Sequence, residues 1–168
     1  FFITQLLENK SAYQTQALDY MLSRGLTLDT IREFEIGLAP TTGDSVFRHL
    51  VHEQRAVPDI ERAGMIVKSD RGTYYDRFRG RIMFPLYNQF GKIVGFTGRI
   101  LPIEGVQTEN VGKYVNSPET PIFSKSRILY GLHKSKSFIR DSQTSIVVEG
   151  QMDFLMLWQD GIKNVVAS

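Results

Sequence analysis

The sequence predicts an α+β chain in three parts: a group of N-terminal helices, a small mixed or antiparallel sheet, and the opening βαβ unit of a parallel α/β domain. Three observations predict it. Apolar residues recur at helical spacing as far as Gly64. Short runs rich in β-branched and aromatic residues, parted by turn signals, continue to Leu101. A strand–helix–strand pattern then closes the chain between residues 145 and 168. With 168 residues, 42% of them apolar, the chain can bury one good core.

From about Tyr13 to Gly64 the chain reads helical. Ala17, Leu18, Met21 and Leu22 fall on one helical face, and Gly25 is expected to stop that helix. Thr27 is expected to cap a short helix carrying Leu28, Ile31 and Phe34, closed near Gly37. Asp44 is expected to cap a third, with Val46, Phe47, Leu50 and Val51 turned inward. Pro58 and Asp59 open a fourth that ends at Gly64. Beyond it MIVK, GTYYDRF, GRIMFPLY and KIVGFTGRIL read as strands, with hairpin turns at SDRG (69–72) and NQFG (88–91). Residues 102–112 read as a polar loop, and KYVNSPETPIFSKSRILYGL as an irregular, basic stretch before a helix from His133 to Arg140. SIVVEG (145–150) reads as a buried strand, QMDFLMLWQDG (151–161) as a helix with Phe154, Leu155, Leu157 and Trp158 apolar, and KNVVAS (163–168) as a second strand. Such a crossover is expected to be parallel and right-handed.

Composition narrows the function. The chain has no cysteine, which excludes disulfides and thiolate zinc sites within it and agrees with a reducing, cytoplasmic setting. No apolar run reaches the length of a membrane span, and the opening FFITQLLENK has neither the basic start nor the cleavage site of a signal peptide. It also lacks an initiator Met, so the chain reads as a piece of a longer protein. Net charge is only +2, but residues 71–127 carry nine Lys/Arg against four acids, leaving −3 for the rest. A basic centre in a near-neutral chain predicts a localised anion site.

The candidate chemistry has two halves. Glu149 stands at the carboxyl end of the first parallel strand and Asp153 in the first turn of the following helix. Ligands of open parallel sheets bind at that end. Two carboxylates there suit a hard cation such as Mg²⁺ or Mn²⁺, and a glutamate there can act as acid or base. The plainer alternative is that Asp153 favours the helix N-terminus electrostatically while Glu149 is a solvated strand end. Two acids also fall short of a two-metal site, and no DxD cluster stands elsewhere in the chain. The other half is RFRGRIMFP (77–85), in which Arg77, Arg79 and Arg81 would line one face of a single extended strand while Phe78 and Ile82 serve the other. Arg99 follows GFTG, Lys113 and Tyr114 pair a phosphate binder with a stacking ring, and Lys125 and Arg127 extend the series. Alternating basic and aromatic residues suit single-stranded nucleic acid or nucleoside triphosphates. A solvated edge strand, or an acidic protein partner, are the competing readings of the same cations. His49, His52 and His133 form no ligand pattern, and the glycines of GKIVGFTG do not make a P-loop.

Taken together, YDRFRGRIMFPLYNQFGKIVGFTGR, KYVNSPETPIFSKSRILYGL and VVEGQMDFLMLWQDGIKNVVAS, in this order, resemble the catalytic core of bacterial DnaG-type DNA primases, as does DYMLSRGLTLDTIREFEIGLAP. The resemblance runs from about Leu18 to Ser168. It implies a polymerase making short RNA primers on a single-stranded DNA template from ribonucleoside triphosphates, with a replicative helicase as partner. It also implies a division into a basic N-terminal subdomain (1–140; helical 13–64, strand-rich 65–130) and the start of a Toprim metal-binding domain (141–168). By position, Glu149 matches the Toprim glutamate, catalytic or metal-linked, and Asp153 the next acid of the family's EGxMD motif. Arg77, Arg79, Arg81, Arg99, Lys113, Tyr114 and Lys125 match its basic groove; Asn116 and Ser117 lie in a motif block without an assigned role. Gln151 stands where the family commonly has Tyr. The DxD acids that complete the family's metal site have no counterpart in these residues, nor do its zinc-binding and helicase-binding regions. The 168 residues alone are therefore expected to make no primers.

Overall fold

The computed structural model describes residues 1–8, 10–101 and 112–168; the loop expected at 102–112 lies, apart from Gly112, outside the described residues. The helices of the first third are α1 (Phe2–Leu7), α2 (Ala12–Ser23) and α3 (Leu28–Glu33). A three-residue strand β1 (Gly37–Ala39) precedes α4 (Ser45–His52) and α5 (Val57–Arg62). The middle holds β2 (Ile66–Lys68), β3 (Tyr74–Asp76), β4 (Arg81–Tyr87), β5 (Ile93–Ile100) and β6 (Tyr114–Asn116). A 3-10 turn (Lys125–Arg127) and α6 (Leu132–Ser142) lead into β7 (Ile146–Val148), α7 (Gln151–Gln159) and β8 (Val165–Ala167). None of the described helices is long and apolar enough to cross a membrane.

The expected α+β class holds, and the main sheet is antiparallel throughout, in the order β1-β4-β5-β6. β2 and β3 form a separate hairpin across the SDRG turn, where Gly72 N–H donates to Ser69 O at 2.9 Å. The NQFG turn likewise joins β4 to β5. β7 and β8 pair in parallel around α7, as the strand–helix–strand pattern predicts.

Local chemistry explains the helix ends. Ser11 Oγ accepts from Gln14 N–H to start α2, and Thr27 Oγ1 accepts from Thr30 N–H to start α3. The expectation for α4 fails in an instructive way. Asp44 occupies the cap position but turns its carboxylate to Arg48, at 2.7 Å. The donors at the start of α4 go instead to Asp76, 30 residues on, which accepts from Val46 and Phe47 N–H at 2.8 and 2.9 Å. A buried carboxylate held by two amides ties α4 to β3. Burial pushes the Asp76 carboxyl above its ordinary pKa while the two amides pull it down.

Two further expectations are corrected. The stretch 13–64 is not helical throughout: β1 lies inside it and pairs with β4, Leu38 opposite Ile82. SIVVEG is a strand but not a buried one, since Ile146 and Val147 are 40% and 62% exposed. β8 packs on α6 and α7 and is buried; β7 pairs with β8 on one edge and leaves Ile146 and Val147 exposed while Val148 packs against the larger core.

By strand alternation β4 presents Ile82, Phe84 and Leu86 to one face and Met83 to the other. The first face joins the larger core, which gathers Met21, Ile31 and Phe34 from the early helices with Phe154, Leu155 and Trp158 from α7. This core crosses the boundary expected at 140/141. Phe34 meets Phe154 and Trp158 edge-on at 5.4 and 5.5 Å, and Trp158 Nε1 donates to Glu33. Gln159 joins in, its amide oxygen accepting from Thr27 N–H and its amide nitrogen donating to Gly25 O. The second face packs Met83, Phe78, Ala39, Val46 and Phe2 into a smaller cluster.

Candidate functional site

A cavity of about 260 Å³ opens where the main sheet meets the carboxyl ends of β7 and β8. Its walls come from Leu86 on β4, Thr97 on β5, Tyr114 and Asn116 on β6, Lys125 on the 3-10 turn, and Glu149 through Gln151 between β7 and α7. Ser168, just past β8, completes the mouth. Three of the predicted site residues, Tyr114, Lys125 and Glu149, are therefore brought together although the chain separates them widely.

The antiparallel register puts the polar walls in place. Thr97 pairs with Asn116, and Arg99 with Tyr114. Thr97 Oγ1 donates to Asn116 Oδ1 at 2.7 Å, which turns the amide so that its Nδ2 donors are left for a ligand. Arg99 Nη1 donates to the Tyr114 hydroxyl at 3.3 Å, with its guanidinium over the rings of Tyr20 and Tyr114 at 5.5 and 5.7 Å. Arg99 thus stiffens a Tyr114 ring that stays 40% exposed. Lys125 is exposed, and its backbone N–H is fixed by Glu119 Oε1 at 2.9 Å. The Tyr130 hydroxyl, on the cavity wall, is buried without a hydrogen-bond partner among the described residues, and burial pushes its pKa far up. Tyr130 exchanges both backbone hydrogen bonds with Ala167, which locks the cavity floor to β8.

The carboxylate pair is half in place. Glu149 is exposed at the cavity mouth directly after β7, and Asp153 is exposed in the first turn of α7. Asp153 folds back over Gly150, its Oδ2 only 3.2 Å from where a Cβ there would lie. Neither carboxylate enters an ion pair among the described residues. Two free, solvated oxygen donors at a strand's carboxyl end fit a Mg²⁺ that keeps several waters and shares phosphate oxygens. No described group of three His, Cys, Asp or Glu could hold a metal by itself.

The arginine row does not exist as expected. β3 ends at Asp76, and Gly80, at φ +59°, turns the chain before β4 begins at Arg81, so 77–81 is not one strand. Arg77 is half-buried and its Nε donates to Gly64 O at 2.8 Å. Arg79 is exposed, its guanidinium 5.1 Å from the Tyr75 ring. Arg81 is 3% exposed and lies across Gly98, where its Cδ would stand 3.0 Å from any Cβ. Its Nη1 donates to Gly98 O and Lys113 O at 3.1 and 3.4 Å. Burial lowers the Arg81 pKa, and the nearby Tyr13 hydroxyl is itself pushed up to about 12, chiefly by burial. Alternation places Arg81 on the Met83 face, away from Leu86 and Glu149. The Lys113 side chain is exposed beside Tyr114, and Arg127 is exposed on the far side of the 3-10 turn from the cavity, in a neighbouring groove. Thr97, Asn116 and Tyr130 line the cavity without a site signature in the sequence. For Thr97 and Asn116 the missing signal was register; for Tyr130 it was the bridge to β8.

Residues 1–136 match the family described as the N-terminal domain of the DNA primase catalytic core. The chain is 41% identical over 167 residues to the DNA primase of Legionella pneumophila, covering 99% of this chain and 28% of that protein. It is 43% identical over 152 residues to that of Geobacillus stearothermophilus, covering 90% of this chain and 24% of that one. The chain thus spans about a quarter of the length of the curated relatives it matches. Among solved structures, the RNA polymerase domain of Mycobacterium tuberculosis DnaG, in complex with double-stranded DNA bearing a 6-nucleotide overhang, superposes with a TM-score of 0.90 at 31% identity. That match covers 100% of this chain and 50% of the other. A DnaG catalytic domain bound to single-stranded DNA gives 0.85 at 39% identity, covering 100% and 51%. The Escherichia coli primase catalytic core gives 0.82 at 38%, again covering 100% and 51%. The antiparallel sheet, the helices packed on it and the sequence blocks that build the cavity walls are those of one family, and this chain belongs to it: the N-terminal domain of the DNA primase catalytic core.

Proposed function

We propose that this chain forms the template- and nucleotide-holding part of a DNA-templated RNA polymerase that makes short primers for replication. Residues 1–140 form its basic subdomain and 141–168 the start of its Toprim domain. The observation that carries the reading is the convergence of Tyr114, Asn116, Lys125 and Glu149 on one cavity at the carboxyl ends of two parallel strands. Lys125 offers a mobile point charge to phosphate, Tyr114 a braced ring to a base, and Asn116 amide donors to sugar or base. Arg99 adds positive charge against the Tyr114 ring, and the exposed Lys113, Arg79 and Arg127 add it elsewhere on the chain, a charge that holds a strand's backbone without regard to sequence. Arg77 and Arg81 serve this site by holding the sheet that carries it.

Glu149 and Asp153 would hold a Mg²⁺ or Mn²⁺ together with acids outside these residues, and that ion would supply charge neutralisation at the reacting phosphate. Glu149, at the cavity mouth, is placed to orient the 3′-hydroxyl or to accept its proton. The template is single-stranded DNA, the substrates are ribonucleoside triphosphates, and the replicative helicase engages other regions of a cytoplasmic protein. A second reading is a non-catalytic single-stranded DNA- or nucleotide-binding module of a plasmid or phage replication protein, which the exposed Lys125 and Tyr114 at the cavity would serve equally. Glu149→Gln in the full-length protein separates the two. Loss of primer synthesis with DNA binding intact supports the polymerase; unchanged primer synthesis overturns the role given to Glu149.

A further inference from the structure

The tip of the β4–β5 hairpin carries the most exposed large apolar side chain among the described residues, Phe90 at 76%. The turn that presents it is fixed. Asn88 Oδ1 accepts from the N–H of Phe90 and of Lys92 at 3.0 and 3.1 Å. Asn88 N–H donates to Lys92 O at 2.9 Å, and Gly91 N–H to Asn88 O at 3.0 Å. A free phenyl ring on a rigid turn costs solubility and gains nothing for the core.

Beneath it lies a groove of about 290 Å³ lined by Tyr87, Phe90, Arg127, Ile128, Leu129 and Leu132, among others. No carboxylate lines it among the described residues. Three cations stand around it. Arg127 and Lys92 are exposed, and Lys136 reaches across from α6 to donate to Gln89 O at 2.8 Å. The groove adjoins the cavity already described. Ile128 lines both, and one 3-10 turn presents Lys125 to the cavity and Arg127 to the groove. A flat apolar ring flanked by cations without a carboxylate partner among the described residues is the chemistry that binds single-stranded nucleic acid, whose bases stack while its phosphates are neutralised.

We propose that this groove is a second single-stranded polynucleotide subsite, in which a base stacks on Phe90 while Arg127, Lys92 and Lys136 neutralise the flanking phosphates, continuing the strand held in the cavity. It rests on the reading of the cavity as a nucleic-acid site, and it commits to polynucleotide over an acidic protein segment. The test measures binding of a short oligothymidylate to the full chain, against an abasic oligonucleotide of equal length. Phe90→Ala is expected to weaken oligothymidylate binding about five- to a hundredfold. It should leave abasic binding within about twofold and leave the salt dependence unchanged, because the ring carries no charge. Phe90→Trp is expected to restore affinity, and Arg127→Gln to lower the salt slope for both ligands by about 0.7. Unchanged oligothymidylate binding by Phe90→Ala overturns the proposal, as does equal loss on both oligonucleotides. A wild-type chain that binds neither oligonucleotide overturns the cavity reading on which the subsite rests.

Discussion

Two basic regions of this molecule look alike as sequence and behave oppositely as structure. RFRGR (77–81) and the 113–127 stretch both alternate cations with rings. In the first, Arg77 and Arg81 give hydrogen bonds to backbone carbonyls of their own chain, and Arg79 sits by Tyr75. In the second, Lys113, Lys125 and Arg127 keep exposed charged ends, and the hydrogen bonds that tie them down run through their backbones. The difference teaches that a count of cations does not locate an anion site. What matters is whether the cation's donors have already been taken up by the protein's own carbonyls, which happens where a glycine lets a guanidinium lie flat on a sheet.

The contrast can be broken most decisively at Arg81. Arg81→Ala is expected to cost about 2–4 kcal/mol, because two carbonyl partners and a buried side chain are lost together. Urea unfolding measures it, and a loss under about 0.5 kcal/mol would return Arg81 to the list of free cations. Gly98→Ala attacks the same feature from below. Its Cβ would meet Arg81 Cδ and Phe78 Cδ1 at 3.0 Å, and overpacking of that kind costs about 1–3 kcal/mol, read as a lower melting temperature.

The third test concerns the ground under the second region. His133 stacks on Tyr87 at 4.2 Å, and burial, with Lys134 and Lys136 adding to it, lowers its pKa to about 4. Because the folded pKa lies below the unfolded one, the unfolded state binds more protons between those values. Stability should then rise with pH from about 4 to about 6.5 and level off above, by about 1 kcal/mol after allowing for the ring's partial exposure. His133→Gln should flatten that part of a pH series of urea midpoints; an unchanged slope would place the titration elsewhere. The smallest effect belongs to Lys125→Gln. Stability should stay within about 0.5 kcal/mol while the salt slope of oligothymidylate binding falls by about 0.7, the reverse of the Arg81 pattern.

Much of this architecture can be read from residue order alone. α2, α3 and the strands β2 to β5 follow from their periods, and the hairpin turns from Gly72 and Gly91. α1 and β1 escape the same reading. The strand Gly-Leu-Ala has no period to show, and its partner Met83 lies 46 positions downstream of Gly37. Glu149 was legible because a strand ending in an acid before a helix is a local pattern. The arginine row is not legible from alternation because the backbone turns at Gly80. Thr97 facing Asn116 is set by which strands pair, and no short window contains that information.

The early helices close over α7, through Phe34 against Phe154 and Trp158 and through Glu33 and Thr27 against Trp158 and Gln159. On a ribosome, residues 1–38 would leave the exit tunnel long before the aromatic lid that shields them has been translated. Their greasy side would have to be sheltered by a chaperone, or by loose collapse, until Gln159 has been translated. Nascent chains arrested short of that point are therefore expected to be cut readily by a protease near α2 and α3, and chains released beyond it to resist.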